Sequence, residues 1–381
     1  MTTMNILLVG SYEQSEVLTG PQKFAKRLFK QLQGSHSVTF ITYFQDGTTY
    51  SRWSKIFGHE VIEQYTQSQV IRCGLLPFVL LLLIRPYEIV HIVTFERFAI
   101  VAALLRSIKR YKLVYTCHGV IAFEYRQFYQ HLPKRIKKTG QWIEKKFFQC
   151  ADTVAFVSAL EMRSAQTEGY HAVRYTIIHN GVDEIFYCSE RHSISENHFS
   201  LVFVGNIHKK EKGFSFFVEA LQRYKKEIEV TIVSAEIREQ VFPSNIHLSF
   251  VRPMDTGSLA KLFQKNDLYI CASAYDSFSI TAAEAMASGA VPVVTSTTGI
   301  AELISHGRNG FIIEYGDSGQ LCNVISILQD DRIMLSEISK NAQTTSAQYT
   351  WMQVAQEYER MYQSLSHNRI HNPAGSIQPL F

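Results

Sequence analysis

The feature that most constrains this chain is a rhythm that occurs twice: short apolar runs, each followed by a stretch with helical spacing. In the first train the runs are Asn5–Val9, Ser37–Thr42, Glu88–Val93, Leu113–Thr116 and Thr153–Val157. Helical patterns lie between them at Pro21–Leu32, Leu75–Ile84, Phe95–Ile108 and Pro133–Phe148. Apolar runs without polar alternation suit strands buried on both faces, and parallel strands need a crossover between them. Five such strands alternating with helices predict a doubly wound α/β domain. Around residues 185–200 the pattern stops in a polar stretch, CSERHSISENHFS, which reads as a linker. The rhythm then restarts. Its runs are Leu201–Val204, Val230–Val233, His247–Phe250, Leu268–Cys271, Val291–Val294 and Gly310–Ile313. Its helical patterns fall near Phe214–Tyr224, Asp255–Gln264, Ile280–Ser288 and Gly319–Leu328. A last long pattern, Trp351–Leu365, precedes a tail with the composition of a poorly ordered end. The predicted fold is therefore α/β, with two consecutive Rossmann-like domains. In such folds ligands bind beyond the carboxyl ends of the strands.

Length and charge agree with two domains. The 381 residues suffice for two cores, and the composition, 46% hydrophobic and 19% charged, excludes a mainly disordered, collagen-like or coiled-coil chain. The net charge of +4 is too small to mark a nucleic-acid binder. Its distribution is uneven: residues 1–190 carry 22 Lys and Arg against 15 Asp and Glu, whereas residues 191–381 carry 16 against 19. The six scattered cysteines form no C-x-x-C pair, so the expectation is a reducing cytosol without a disulfide framework or zinc site. The start, MTTMNILLVG, lacks the basic and small-residue features of a signal peptide. The most apolar run, Leu75–Ile84, is ten residues long where a membrane span needs about 20, which predicts a buried helix.

Chemistry concentrates after the run LYICAS, in the segment from Tyr275 to Gly289. Ser277 or Ser279 can cap the Ala-rich helix that opens there, leaving backbone N–H groups directed at an anion. Asp276 stands in the loop and Glu284 one to two turns into the helix. Two carboxylates eight residues apart can hold hydroxyls at either end of a ligand whose phosphates meet the amides between them. Taken alone, the same residues fit a turn cap and a solvated helix carboxylate.

The neighbouring segments extend the pattern. Asp276–Val294 (D-S-F-S-I-T-A-A-E-A-M-A-S-G-A-V-P-V-V) resembles the E-x7-E motif of the retaining glycosyltransferases of family 4, the group 1 glycosyl transferases. It is one residue longer before the Pro and has Asp276 in place of the first Glu. Thr298–Ile304 with Gly307–Phe311, His179–Asp183, Val204–Gly213, Thr116–Gly119 and Arg85–His91 resemble further landmarks of that family in the same order. The resemblance covers nearly the whole chain.

It implies two Rossmann-like domains facing each other across a cleft, the GT-B arrangement. It divides the chain into an acceptor-side domain (1–187), a nucleotide-sugar domain (198–348) and a final segment (349–381) whose helix crosses back to the first domain. It implies transfer of a sugar, with retention, from a nucleotide-sugar such as a UDP- or GDP-sugar. That donor is the substrate, and no separate cofactor or metal is expected. Lys212 would neutralise the donor diphosphate, with Lys209 or Lys210 nearby, and Asn206 stands where the family has Arg. Glu284 would bind ribose hydroxyls, Asp276 the donor sugar, and His118 would sit over the reacting sugar. Gly20 would approach the donor, and Ser277, Phe278, Ser279 and Ile280 would line its phosphates. The implied acceptor is a glycan or a lipid-linked molecule, as in surface polysaccharide assembly, with no nucleic acid involved. The basic stretch 133–148 allows two readings, a contact with the anionic inner face of the plasma membrane or a solvated helix face. The competing functions are a non-catalytic scaffold of the same fold, favoured by Asn206 and Asp276, and more remotely a nucleotide-sugar epimerase. A dehydrogenase or P-loop enzyme is disfavoured because neither glycine motif occurs.

Overall fold

The computed structural model describes residues 3–15, 17–44, 50–187, 199–236 and 242–367. Most of the polar linker and the tail after 367 lie outside the described residues.

The first sheet contains β1 (Asn5–Val9), β2 (Ser37–Tyr43), β3 (His59–Gln64), β4 (Gln69–Cys73), β5 (Ile89–Ile92), β6 (Lys112–Cys117), β7 (Thr153–Phe156) and β8 (Tyr175–Ile177). They lie in the order β3-β4-β2-β1-β5-β6-β7-β8, parallel except for β3 against β4. The helices are α1 (Gly20–Leu32), α2 (Arg52–Phe57), α3 (Leu75–Ile84), α4 (Ile100–Leu105), α5 (Ile121–Gln127), α6 (Lys134–Cys150) and α7 (Ala159–Thr167). Alternation along the central strand builds two cores. Ile6 and Leu8 meet Phe24 and Leu28 of α1 on one face, while Leu7 and Val9 meet Phe78, Ala102 and Phe147 of α3, α4 and α6 on the other.

Three expectations fail here, each for a physical reason. The sheet has eight strands, not five. β3 and β8 are edge strands without the two-sided burial that writes a long apolar run, and in β4 the buried Val70, Ile71 and Cys73 are interrupted by Arg72. The Phe95–Ile108 pattern is not one helix. Thr94 is tied to the β1 loop by Ser11 N (2.8 Å), and the chain then makes a 3₁₀ turn at Arg97–Ala99 before the six residues of α4. The run Leu75–Ile84 does form a helix over those bounds, but it is not buried. Only Phe78 and Leu82, one turn apart, face the sheet, whereas Leu75, Leu76, Leu80, Leu83 and Ile84 are exposed. A helix lying on one face of a sheet has only one stripe to bury.

The second sheet is wholly parallel: β9 (Ser200–Val204), β10 (Ile228–Val233), β11 (Ile246–Val251), β12 (Leu268–Cys271), β13 (Val291–Thr295) and β14 (Phe311–Ile313). Its order, β11-β10-β9-β12-β13-β14, reverses direction between β9 and β12. That reversal is the topological switch point where open α/β sheets bind ligands. The remaining helices are α8 (Phe214–Arg223), α9 (Thr256–Lys265), α10 (Ile280–Ala287), α11 (Ser318–Asp330), α12 (Arg332–Ser346) and α13 (Trp351–His367). Sequence reasoning overlooks α12, which hides its stripe of Leu335, Ile338 and Ala342 among polar residues. Among the described residues no helix is long and apolar enough to cross a membrane.

α13 packs against α1, with Tyr358 against Phe24 (ring centroids 5.6 Å apart). A buried polar chain locks it in place. His91 of β5 meets Tyr362 Oη through Nδ1 (2.6 Å) and Thr116 Oγ1 through Nε2 (2.7 Å), and Thr116 Oγ1 meets Tyr358 Oη (3.0 Å). Burial holds the His91 imidazole well below its usual range, so it is neutral here. Removing the Tyr362 hydroxyl leaves one imidazole nitrogen buried without a partner. Tyr362→Phe is therefore expected to lower unfolding free energy by about 1–3 kcal/mol, measured as a shift of the urea midpoint at unchanged slope.

Candidate active site

The strand ends of the two sheets open onto one cleft of about 610 Å³. It is lined from the first domain by the loop before α1, by Lys23, His118, Glu124 and Tyr129. From the second come the β9 loop with Asn206, Lys209 and Lys212, and the segment Tyr275–Glu284. Of the site residues expected from the sequence, all but the alternative cation Lys210 line this cleft.

After β9, Asn206 turns the chain by accepting from His208 N through its side-chain oxygen (2.9 Å). A 3₁₀ turn at Lys210–Lys212 follows, closed by Gly213 in the left-handed region (φ 65°). Only glycine fits: a Cβ at 213 would lie 1.8 Å from Ala272 O. This close approach sets Lys212 beside the β12 loop, where its Nζ lies 2.7 Å from Asp276 Oδ2. Burial alone would lower the ammonium pKa, but Asp276 outweighs it and holds Lys212 above the usual lysine range. Lys209 also lines the cleft but is half-exposed, and Lys210 does not line it.

After β12, the backbone of Asp276 is pinned by Thr297 O and Gly299 N. Its other carboxylate oxygen accepts from Ser279 N (2.9 Å) and Phe278 N (3.3 Å). Asp276 thus caps the entry to α10, and neither serine does. Ser279 sits at the cap position with φ 73°, where its side chain makes no capping bond, and Ser277 Oγ donates instead to His118 O across the domains (2.9 Å). Ile280 and Thr281 occupy the first positions of α10, whose amides have no intrahelical acceptor and face the positive end of the helix dipole. Gly20 closes on the same helix; a Cβ there would stand 3.7 Å from Ile280 Cδ1.

Glu284 is buried one turn further along and ion-pairs with Lys23 of α1. Burial raises its pKa and Lys23 opposes that rise. His118 is half-buried in the cleft wall, with its ring edge against Phe24 (4.5 Å), and donates through Nε2 to Val93 O (3.1 Å), which leaves Nδ1 as an acceptor. Desolvation pushes its pKa down to about 3, so the imidazole is uncharged at neutral pH.

Sequence reasoning misses several residues of the cleft and of the domain boundary. Lys23 follows Gly20 by three positions in α1, a helical spacing that signals a shared face. Glu302, inside the segment Thr298–Ile304, accepts from Leu160 N (2.7 Å) and Ala159 N (2.9 Å) and so caps α7 across the domain boundary. Tyr129 donates to Glu211 (2.6 Å) across the same cleft. No sequence signal marks Glu124, a half-buried cleft acid raised to about 7 by desolvation and by Glu211.

The raised acids make stability depend on pH. Glu96 and Glu124 titrate at about 7 and Glu144 at about 8, each lifted chiefly by burial, whereas the unfolded chain releases these protons near 4.5. The folded state therefore binds more protons between pH 4.5 and 8, and stability falls as pH rises through that window. His91 and His118, lowered by burial, act oppositely but only below 6.5. The expected result is a melting temperature that decreases from pH 6.5 to 8, by calorimetry, with a shallower decrease in Glu144→Gln.

Two Rossmann-like domains meeting at strand ends, with a cation and a capped helix N-terminus at the switch point, define the GT-B class. Residues 18–185 match the model of Glycosyltransferase Family 4, and residues 198–331 match that of Glycosyl transferases group 1. The chain belongs to this glycosyltransferase family. Sucrose-phosphate synthase from Thermosynechococcus elongatus shares the fold at a TM-score of 0.77 and 17% identity, covering 96% of this chain and 100% of that one. Anabaena HepE, solved in complex with UDP-glucose, gives 0.71 at 20% identity over 95% of this chain and 100% of that one. By sequence, alpha-maltose-1-phosphate synthase of Mycolicibacterium smegmatis is 22% identical over 262 residues, 60% of this chain and 67% of the relative.

Proposed function

We propose that this glycosyltransferase moves a sugar from a UDP-sugar to a glycan or lipid-linked acceptor, with retention and with its own side chains neutralising the diphosphate. The observation that carries the reading is the convergence of the Lys212 ammonium, Asp276 and the first amides of α10 at one switch point. A nucleoside diphosphate leaving group meets a fixed cation and a helix dipole there without reorganisation of solvent. Glu284 is placed to accept from ribose hydroxyls once Lys23 yields, and Asp276 from the donor sugar. As the bond to the diphosphate breaks, the anomeric carbon becomes oxocarbenium-like. The leaving phosphate oxygen, on the same face, is then the base nearest the incoming hydroxyl. His118 is neutral, so it serves as a hydrogen-bond acceptor through Nδ1 and not as a cation or general acid. The HepE complex supports a uridine nucleotide, and a lipid-linked acceptor would place the work at the inner face of the plasma membrane.

The test is a panel of UDP-, GDP- and ADP-sugars scored for nucleotide release with and without acceptor extracts. Release from one UDP-sugar above the rest is expected. Binding of UDP without turnover of any donor would favour the scaffold reading, for which Asn206 in place of Arg speaks.

A further inference from the structure

The cleft wall contributed by the first domain holds an acid that the donor chemistry leaves unused. Glu124 of α5 is half-buried there, and its carboxyl has no hydrogen bond or ion pair among the described residues. It lies over the backbone just after His118, where a Cβ on Gly119 would collide with Glu124 Oε1. The cations nearby are already engaged: Lys212 is held by Asp276 (2.7 Å), and Lys209 faces Glu211 (3.9 Å). A half-buried carboxyl without a partner keeps hydrogen-bonding capacity that the donors of a ligand can fill.

One turn further on, the same segment presents aromatic rings. Phe128 and Tyr129 both line the cleft and are half-buried. Both are held from the second domain. Tyr275 reaches across to Phe123 (ring centroids 4.8 Å apart) and Phe128 (6.4 Å), and Tyr129 Oη donates to Glu211 (2.6 Å). Tyr275 directly precedes Asp276, and Glu211 directly precedes Lys212. The two stretches are joined, since Glu211 O accepts from Ala274 N (2.8 Å) and Tyr275 N (3.4 Å). The backbone that positions the Lys212 cation and the Asp276 carboxylate therefore also fixes this aromatic edge.

The chemistry of the wall selects its ligand. An anionic group would meet Glu124, Glu211 and Asp276, and an ammonium would meet Lys209 and Lys212. A bare hydrocarbon would cover the Glu124 carboxyl without giving it a donor. A sugar ring answers both constraints, because its hydroxyls donate to carboxyl oxygens while its C–H face packs on an aromatic ring. We propose that Glu124 and Phe128 form the acceptor subsite and that this subsite takes a neutral sugar ring. Its role as acceptor subsite rests on the transferase reading, whereas its affinity for a sugar ring is measurable without turnover.

The test is saturation-transfer NMR on the full chain loaded with UDP, with nucleotide release from the UDP-sugar panel measured in parallel. The probes are the methyl glycosides of glucose, galactose, mannose and N-acetylglucosamine, with glucose 6-phosphate and inorganic phosphate as anionic counterparts. At least one neutral glycoside is expected to bind, and more tightly than either anion. Glu124→Gln should weaken that glycoside about tenfold and Phe128→Leu about fivefold. UDP affinity and the circular dichroism spectrum should stay at wild-type values in both variants. The subsite is overturned if no neutral glycoside binds, if glucose 6-phosphate binds more tightly, or if Glu124→Gln binds the glycoside undiminished. If a UDP-sugar is turned over while no glycoside binds, the transferase reading stands and this subsite fails. If the glycosides bind in the expected order but every UDP-sugar is inert, the sugar site stands and the transferase reading fails.

Discussion

Alanine at position 212 is expected to lower transfer by about 10²–10³-fold while leaving the fold intact. Lys212 presents the ammonium of the β9 loop to the position where the leaving diphosphate gains charge, and fixed charges of this kind act in the transition state more than in the ground state. Its Nζ lies 2.7 Å from Asp276 Oδ2 on the half-buried wall of the cleft, held there because Gly213 lets the loop touch Ala272. Alanine removes the cation and leaves Asp276 with the Phe278 and Ser279 amides alone. The loss should fall on kcat more than on KM, as expected for an interaction that strengthens with developing charge. Since Asp276 keeps Lys212 charged above the usual lysine range, the wild-type rate should show no alkaline limb from this group below that range. Steady-state kinetics on the preferred donor checks both statements. A Lys212→Ala enzyme with near-normal kcat would remove the diphosphate from this corner of the cleft.

Glu284→Ala has two separable consequences. Glu284 is buried and paired with Lys23 from the opposite domain, so its removal strands a nearly buried ammonium and costs about 3 kcal/mol of stability. If Glu284 also holds the donor ribose, transfer should drop to about 1% or less, because a buried hydrogen bond to a charged group contributes about 1.5–3 kcal/mol in binding, with further loss from misplacement. The double variant Lys23→Met with Glu284→Gln separates the two effects. Without a buried charge to strand, it should recover most of the melting temperature yet remain inactive. Recovery of activity along with stability would make Glu284 a domain latch and nothing more. A linked expectation concerns the free protein: Lys23 must leave Glu284 before ribose hydroxyls can reach it, so donor binding and opening of this ion pair are coupled.

How much of the site was legible depended on where its residues sit in the chain. Asp276 and Glu284 were visible because they flank one helix N-terminus, and eight residues of sequence already place them a turn or more apart. Lys212 was visible through its glycine. Lys23, Glu124 and Glu302 were not, because each acts on a partner more than a hundred residues away or in a pocket that only the closed domains create. Glu302 caps α7 of the other domain, a relation that no local spacing encodes. The serine cap was misassigned because three polar residues stand before α10, and only the backbone geometry, with Ser279 at φ 73°, shows that Asp276 makes the capping bonds.

By itself the sequence determined the two-domain rhythm, nearly every central strand, and the family to which the chain belongs. Those properties follow from local physics: buried parallel strands must be apolar throughout, and anion-binding turns need their glycines and caps. Tertiary structure alone decided which apolar runs are buried. Leu75–Ile84 has the composition of a core helix, yet one face of a sheet buries one stripe of a helix, and no further layer among the described residues covers the rest. The same limit governed the edge strands β3 and β8 and the cross-domain pair of Lys23 and Glu284, because burial and pairing are properties of neighbours that the chain brings together only after it folds.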